Sequence, residues 1–375
     1  MKKKGSPALF SVLRFFALLL MAFILIFSCT RQDNERNSAM ENTVRETVLV
    51  ISNAPGTSPP VITTTPVLSI PEPQFEMQPE PQTLPENGLV LNPIAVDPGD
   101  ILSWPLSSWR DRRYEVFSWD NFPEILIFDT VDYAVQDLLF KRLAFFVEKE
   151  GFIGYMAHNE EIAHLHGWNA HNYRAEDLAV FFQTARENNF PLNAEEWELE
   201  YMLLTSGIIR WNYNGEIIPG RGAVLSISRE SNTSLRSRFL AHEAFHGLYF
   251  IDEDFRFFSR MRWEAFPSFA RDFILAYFML QAYDLENEYL VINEFMAHIL
   301  QFSVANASWY FGEHLPNILL NNSSAFRSFL PEREERTNEG RRYYPDLAQV
   351  FTGEAETFSS YVNQRWGLAA GRVWN

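Results

Sequence analysis

Cysteine is almost missing from this chain of 375 residues, where Cys29 stands alone. One thiol cannot close an intrachain disulfide, and it cannot build the multi-cysteine sites that hold structural zinc. Basic residues are also short: 31 Lys and Arg stand against 48 Asp and Glu, a formal charge of −17. That balance argues against nucleic acid and anionic lipid headgroups as partners. Between Arg45 and Arg110 there is no Lys or Arg at all. The apolar run from Phe15 to Phe27 is shorter than the ~20 residues of a membrane span. Stretching it back to residue 8 would bury Arg14, at a cost of about 2.5–3.5 kcal/mol if central. No internal repeat is visible.

What is there begins with an export signal. Met1-Lys2-Lys3-Lys4 is a basic start, and the Phe15–Phe27 run reads as the apolar core of a secretory signal. It ends at Ile26-Phe27-Ser28-Cys29, which resembles the lipobox of bacterial lipoproteins. The resemblance implies removal of residues 1–28 and lipidation of Cys29, with the protein held in the bacterial cell envelope by that lipid, on the periplasmic or the cell-surface side. An acylated Cys29 leaves no free thiol, hence no cysteine nucleophile and no zinc thiolate. Losing Lys2, Lys3, Lys4 and Arg14 takes the formal charge from −17 to −21.

Residues 29–98 are expected to form a proline-rich, disordered tether. Eleven of the 20 prolines fall between Pro55 and Pro98, and such a segment favours extended chain and buries no core. Residues 99–375 are dense in aromatics and are expected to form one large domain or two fused subdomains sharing a cleft. Its pattern predicts a helix-rich α+β fold with a small sheet before a mainly helical C-terminal part. A short strand is expected at Glu124–Phe128. Helices are expected at Asp132–Glu148, Ala175–Glu187 and Ala194–Leu204. A strand from Ile208 to Tyr213 precedes the turn signal Asn214-Gly215. The return strand is expected to end in Ala223–Ser228. Further helices are expected at Ser234–Phe250 and Asn287–Phe302.

The helix over 234–250 carries His242-Glu243-Ala244-Phe245-His246, and Ser231 to Ser234 offer it several N-caps. Two histidines four apart project from one face, so both imidazoles can reach one Zn²⁺. Glu243 emerges beside them and can take a proton from water without being a ligand. A pair of hydrogen-bonded core histidines would show the same spacing. His158, His164, His166 and His171 form a second cluster, read as a polar loop or a second metal site.

His242-Glu243-x-x-His246, the strand before it and the helix downstream resemble the zincin metallopeptidases. That resemblance implies a zinc-dependent peptidase acting on peptide or protein substrates, with Ala223–Ser228 as the edge strand on which an extended peptide lies. The metzincin continuation is broken, because Tyr249 stands in place of its glycine and Asp252 in place of its third histidine; Asp252 reads better as a loop acid. The gluzincin pattern puts the third ligand on a later helix, often as Asn-Glu, and Asn293-Glu294 fits it. Glu294 sits in the apolar stretch Tyr289–Phe302, where an unpaired carboxylate is costly; Glu286 and Glu288 lie in more polar surroundings.

Thermolysin-like enzymes carry an Asp one turn past that Glu, supporting a ligand histidine. Here it is His298, which could bind substrate, support Glu294, replace it on the metal, or be a satisfied core residue. The donor that stabilises the oxyanion in this superfamily could be Tyr289, Tyr343, Tyr344, His298 or His314. A non-catalytic surface-binding lipoprotein on the same scaffold is the alternative. The retained Glu243 favours catalysis, since a structural His pair has no use for it.

A tagged palmitate should label the wild-type protein in cells and leave Cys29→Ala unlabelled; equal labelling of both would refute the lipid anchor.

Overall fold

The computed structural model describes residues 92–149 and 151–374. The expected signal segment, Cys29 and the tether up to residue 91 lie outside them. The chain starts with β1 (Ile94–Val96) and α1 (Pro98–Ser103), followed by β2 (Tyr114–Trp119), β3 (Phe122–Thr130), α2 (Tyr133–Glu148) and β4 (His171–Arg174). Then come α3 (Ala175–Glu187), α4 (Ala194–Thr205), the hairpin strands β5 (Ile209–Trp211) and β6 (Ile217–Pro219), and β7 (Ala223–Ser228). The rest is helical: α5 (Thr233–Ile251), α6 (Glu253–Ala265), α7 (Ser268–Leu280), α8 (Glu288–Leu300), α9 (Val304–Trp309), α10 (Leu315–Asn322) and α11 (Pro345–Trp366). A π-helical turn at Tyr310–His314 and the small pair β8 (Glu335–Arg336) and β9 (Arg342–Tyr343) interrupt it. The fold is thus α+β, a small mixed sheet followed by a helical C-terminal part. Among the described residues no helix is long and apolar enough to cross a membrane.

The main sheet runs in the order β1-β2-β3-β7-β4. β1 is parallel to β2 and β3 to β7, while β2–β3 and β7–β4 are antiparallel. Helices cover both faces, so the central strands carry apolar residues on both faces and not on one alone. Along β3, Ile125 and Ile127 join the core shared with α5, α8 and α11. Leu126 and Phe128 point the other way, into the core shared with α2, α3 and α4.

Two expectations are corrected. The folded domain begins before residue 99: Ile94–Val96 pair with Phe117–Trp119. Asp97 caps α1 by accepting from Gly99 N at 2.8 Å, and Gly99 lies so close to the Trp374 ring that a Cβ would fall 2.8 Å from Cγ. Pro98 belongs to a helix start, where a missing N–H costs nothing, and not to the tether. The return strand of the hairpin also stops early, at Pro219. Gly222, at φ +134° and packed where a Cβ would meet the Glu124 carbonyl oxygen at 2.2 Å, turns the chain out of the hairpin. β7 then inserts into the main sheet between β3 and β4. Ala223–Ser228 is therefore an internal strand, and the edge strand beside it is His171–Arg174.

At the end of β3, Asp129 is fully buried. It accepts from Arg229 Nε at 2.6 Å and from Arg236 Nη2 at 2.9 Å and 3.0 Å. Burial holds its pKa up at about 6 against the pull of Arg236 and Arg229. The same guanidinium groups donate to carbonyls of Ile101, Leu102 and Trp104. One carboxylate thus ties β3, the β7–α5 connection, the first turn of α5 and the α1 segment. Asp129→Ala leaves Arg236 buried without a counter-charge and should cost about 3–5 kcal/mol. Denaturant unfolding measures it, and a loss under about 1 kcal/mol would show that the triad is dispensable.

Candidate metal centre

The first turn of α5 is capped by Asn232, whose side chain accepts from Leu235 N at 3.0 Å. At ~100° per residue, Arg236, Leu240, Glu243 and Gly247 fall on one side of the helix and Arg238, His242 and His246 on another. The first set faces the sheet: a Cβ on Gly247 would sit 3.1 Å from the Ile125 side chain. Glu243 meets β4 there, accepting from Asn172 Nδ2 at 2.7 Å. The second set faces α8, which runs antiparallel to α5. His246 lies opposite Glu294, His242 opposite His298 with ring centroids 5.1 Å apart, and Arg238 opposite Phe302 at 5.6 Å.

His242, His246 and Glu294 are the group among the described residues whose donor atoms converge as metal ligands would. The two Nε2 atoms are 3.1 Å apart. Each stands 3.6 Å from an oxygen of Glu294, Oε2 for His242 and Oε1 for His246. Three donors held about 2.0–2.1 Å from one tetrahedral ion would be about 3.3–3.4 Å from each other; here one atom from each of the three residues lies within 4.8 Å of the others, so small side-chain shifts would bring them to that spacing. Glu294 Oε2 is buried without a hydrogen-bond partner, an orphan that a cation would satisfy. His246 is completely buried, while the His242 side chain keeps 13% of its exposure, so the group opens to solvent on the His242 side.

Burial, reinforced by Arg238 and opposed by Gln301, drives the His242 pKa down to about 3. Burial also takes His246 down to about 4, against the pull of Glu294 and Asn293. Both rings are therefore neutral at pH 7, the form that binds metal. Burial raises Glu294, with His246 and the Tyr283 hydroxyl opposing. It raises Glu243 well above the usual carboxylate range; the Asn172 amide opposes, and Glu294 and Glu148 add to the rise. The charged forms of both carboxylates are thus disfavoured chiefly by burial.

His298 stands beside the three donors and not among them. Its Nε2 is 3.9 Å from Glu294 Oε2, beyond hydrogen-bond reach. Its Nδ1 faces the Tyr310 hydroxyl at 3.1 Å and Gln301 Nε2 at 2.9 Å. Asp252 is elsewhere, capping α6 through Phe255 N at 2.7 Å and pairing with Arg365 at 2.7 Å. Glu288 is paired with Arg260 at 3.4 Å, and Glu286 is exposed. The His158–His171 cluster does not converge: His171 is buried with Nδ1 2.9 Å from Ser226 Oγ, His158 packs at a tilt on Phe190, and His164 and His166 are exposed.

Of the other oxyanion candidates, Tyr343 is bonded to Ser308 at 3.0 Å and Tyr344 to Glu334 at 2.9 Å. Tyr289 packs on Tyr249 under Arg174, and His314 stacks on Trp309. Asn172, Tyr283 and Gln301 were not expected at the site. Only Asn293, as the neighbour of Glu294 in the Asn-Glu pair, carried a signal in the sequence. No protein-family model matches this chain, and no curated protein and no solved structure matches it.

Proposed function

We propose that this protein is a zinc-dependent peptidase on a gluzincin-type scaffold, held in the bacterial cell envelope by a lipid on Cys29. The observation that carries the reading is the convergence of His242, His246 and Glu294, one donor atom of each within 4.8 Å of the others, with Glu243 beside them. The residues fit zinc by chemistry: two neutral imidazoles and one carboxylate are a common catalytic ligand set, and they leave a position open. Zinc held there would lower the pKa of a water toward about 7 and polarise a carbonyl.

Glu243 supplies the proton traffic. Its burial raises its proton affinity, which suits a group that takes a proton from attacking water and returns it to the departing amine. Asn172 grips Oε2 at 2.7 Å and so aims the carboxylate, leaving Oε1 to exchange the proton. Tyr283 steadies Glu294, and Gln301 fixes the His298 ring from its far nitrogen. The edge strand β4, which brings in Asn172, is the place for an extended peptide; among the described residues its outer side has no strand partner.

His246→Ala and Glu294→Ala should each lower zinc bound per chain in elemental analysis, while Asp252→Ala keeps it. Full occupancy in Glu294→Ala would mean that the third ligand is wrongly assigned. Glu243→Gln should keep both metal and fold and lose at least about 10²-fold in rate, the usual worth of a general acid–base group being about 10²–10⁴. The assay is a peptide library read by mass spectrometry with a chelator control. A zinc-loaded wild type that cleaves nothing would turn the assignment to a binding lipoprotein.

A further inference from the structure

Among the described residues Arg238 is a cation with ring contacts and no carboxylate partner. It lies on the same face of α5 as His242 and His246, one turn before the first of them, and is half-buried. Its guanidinium lies over two aromatic rings, 5.4 Å from the Phe239 centroid and 5.6 Å from Phe302. Its charge bears on three imidazoles, His242, His298 and His314. The neighbouring arginines are committed to acids: Arg174 to Asp177, and Arg229 and Arg236 to Asp129. Among the described residues no carboxylate stands within ion-pair distance of Arg238, although the chain as a whole is acidic. The rings around it hold the guanidinium in place and leave its donors to an anion from outside.

We propose that Arg238 binds a carboxylate of the substrate, and that the substrate is a peptide engaged by its free C-terminus, losing its last one or two residues. The proposal rests on the peptidase reading above. A planar guanidinium matches a carboxylate through two parallel hydrogen bonds. A phosphate would call for more positive charge than one arginine provides. Spacing sets how far the carboxylate lies from the bond that breaks. Arg238 and His242 are about 6 Å apart along the helix axis, and an extended peptide advances about 3.3–3.6 Å per residue. The carboxylate therefore falls one or two residues beyond the reacting carbonyl. Hydrolysis adds the hydroxyl of water to the acyl carbon and a proton to the departing amine. A free amino acid or dipeptide leaves, and no further co-reactant is needed. His314 stacks on Trp309 and Tyr310 at 4.8 and 5.7 Å, and the charge of Arg238 bears on it.

The test uses the full chain in detergent with three matched peptides: a free C-terminal acid, its C-terminal amide, and that amide carrying an internal Asp. Cleavage is followed by mass spectrometry, and binding to Glu243→Gln by fluorescence anisotropy. The expected result is loss of one or two residues from the acid, with kcat/KM about 10- to 100-fold above the amide, the worth of a charge-assisted hydrogen bond. Arg238→Gln, which keeps the stem over Phe302, should abolish that preference in cleavage and in binding; zinc content and circular dichroism report that the variant is folded. Equal cleavage of acid and amide by the wild type overturns the proposal and leaves the peptidase reading intact. No cleavage, but tighter binding of the acid that is lost in Arg238→Gln, supports the carboxylate site and removes the peptidase reading. If the internal Asp restores full binding to the amide, the C-terminal assignment is wrong. Binding indifferent to Arg238 overturns the proposal outright.

Discussion

Asp129 accepts from two arginines in a place no water reaches, and the position of the site follows from that arrangement. A buried ion group of this kind adds little stability compared with a well-packed apolar replacement, but breaking it is costly, so it selects one arrangement of the elements around it. Arg236 must face the sheet to reach Asp129. That sets the rotation of α5 about its own axis, and the rotation sends Glu243 toward β4 and the two histidines toward α8. A helix turned by one residue, about 100°, would leave the same motif in the chain with its donors pointing into the core.

The motif helix was legible because two local patterns agreed on it: a cluster of capping residues before it and histidines at one-turn spacing within it. Glu294 was legible for a different reason. A carboxylate in the middle of Tyr289–Phe302 has no local means of being buried, so its partner had to come from elsewhere in the fold. Asn172 had no such signal. It lies on a four-residue strand, His-Asn-Tyr-Arg, whose place at the sheet edge is set by pairing with β7 and by nothing in its own composition. Tyr283 lies in a connection between helices and meets Glu294 only through tertiary packing. The two misread boundaries share a cause: Pro98 and Gly222 are residues of turns and linkers, and both here serve ordered structure.

The site is assembled from two antiparallel helices separated by more than one further helix in the chain. Each contributes a ridge at one-turn spacing, Arg238–His242–His246 on α5 and Glu294–His298 on α8. Side chains of opposite chemical need end up face to face: imidazole nitrogens toward a carboxylate, a guanidinium over a ring. Aromatic packing holds the ridges apart at a fixed distance. His298 is wedged edge-on against His242 and Tyr277 at 5.1 and 5.4 Å and lies parallel to Tyr310, and Trp263 packs on Phe295 at 5.0 Å. The three donors are thus held in place by the rings packed around them.

The contact of Gly99 with Trp374 brings together the first helix and the last described turn of the domain. A polypeptide enters and leaves such a unit at nearly the same point, which is the arrangement that lets a domain be spliced into a loop of another protein or have its order of segments rotated. Joining residue 374 to residue 92 through a short linker and opening the chain at Tyr213, which is 98% exposed at the tip of the β5–β6 hairpin, would keep α5 and α8 in their places. The same α5–α8 pair would then be reached by a different path through the sequence, with β7 and the motif helix near the new beginning and β4 near the new end.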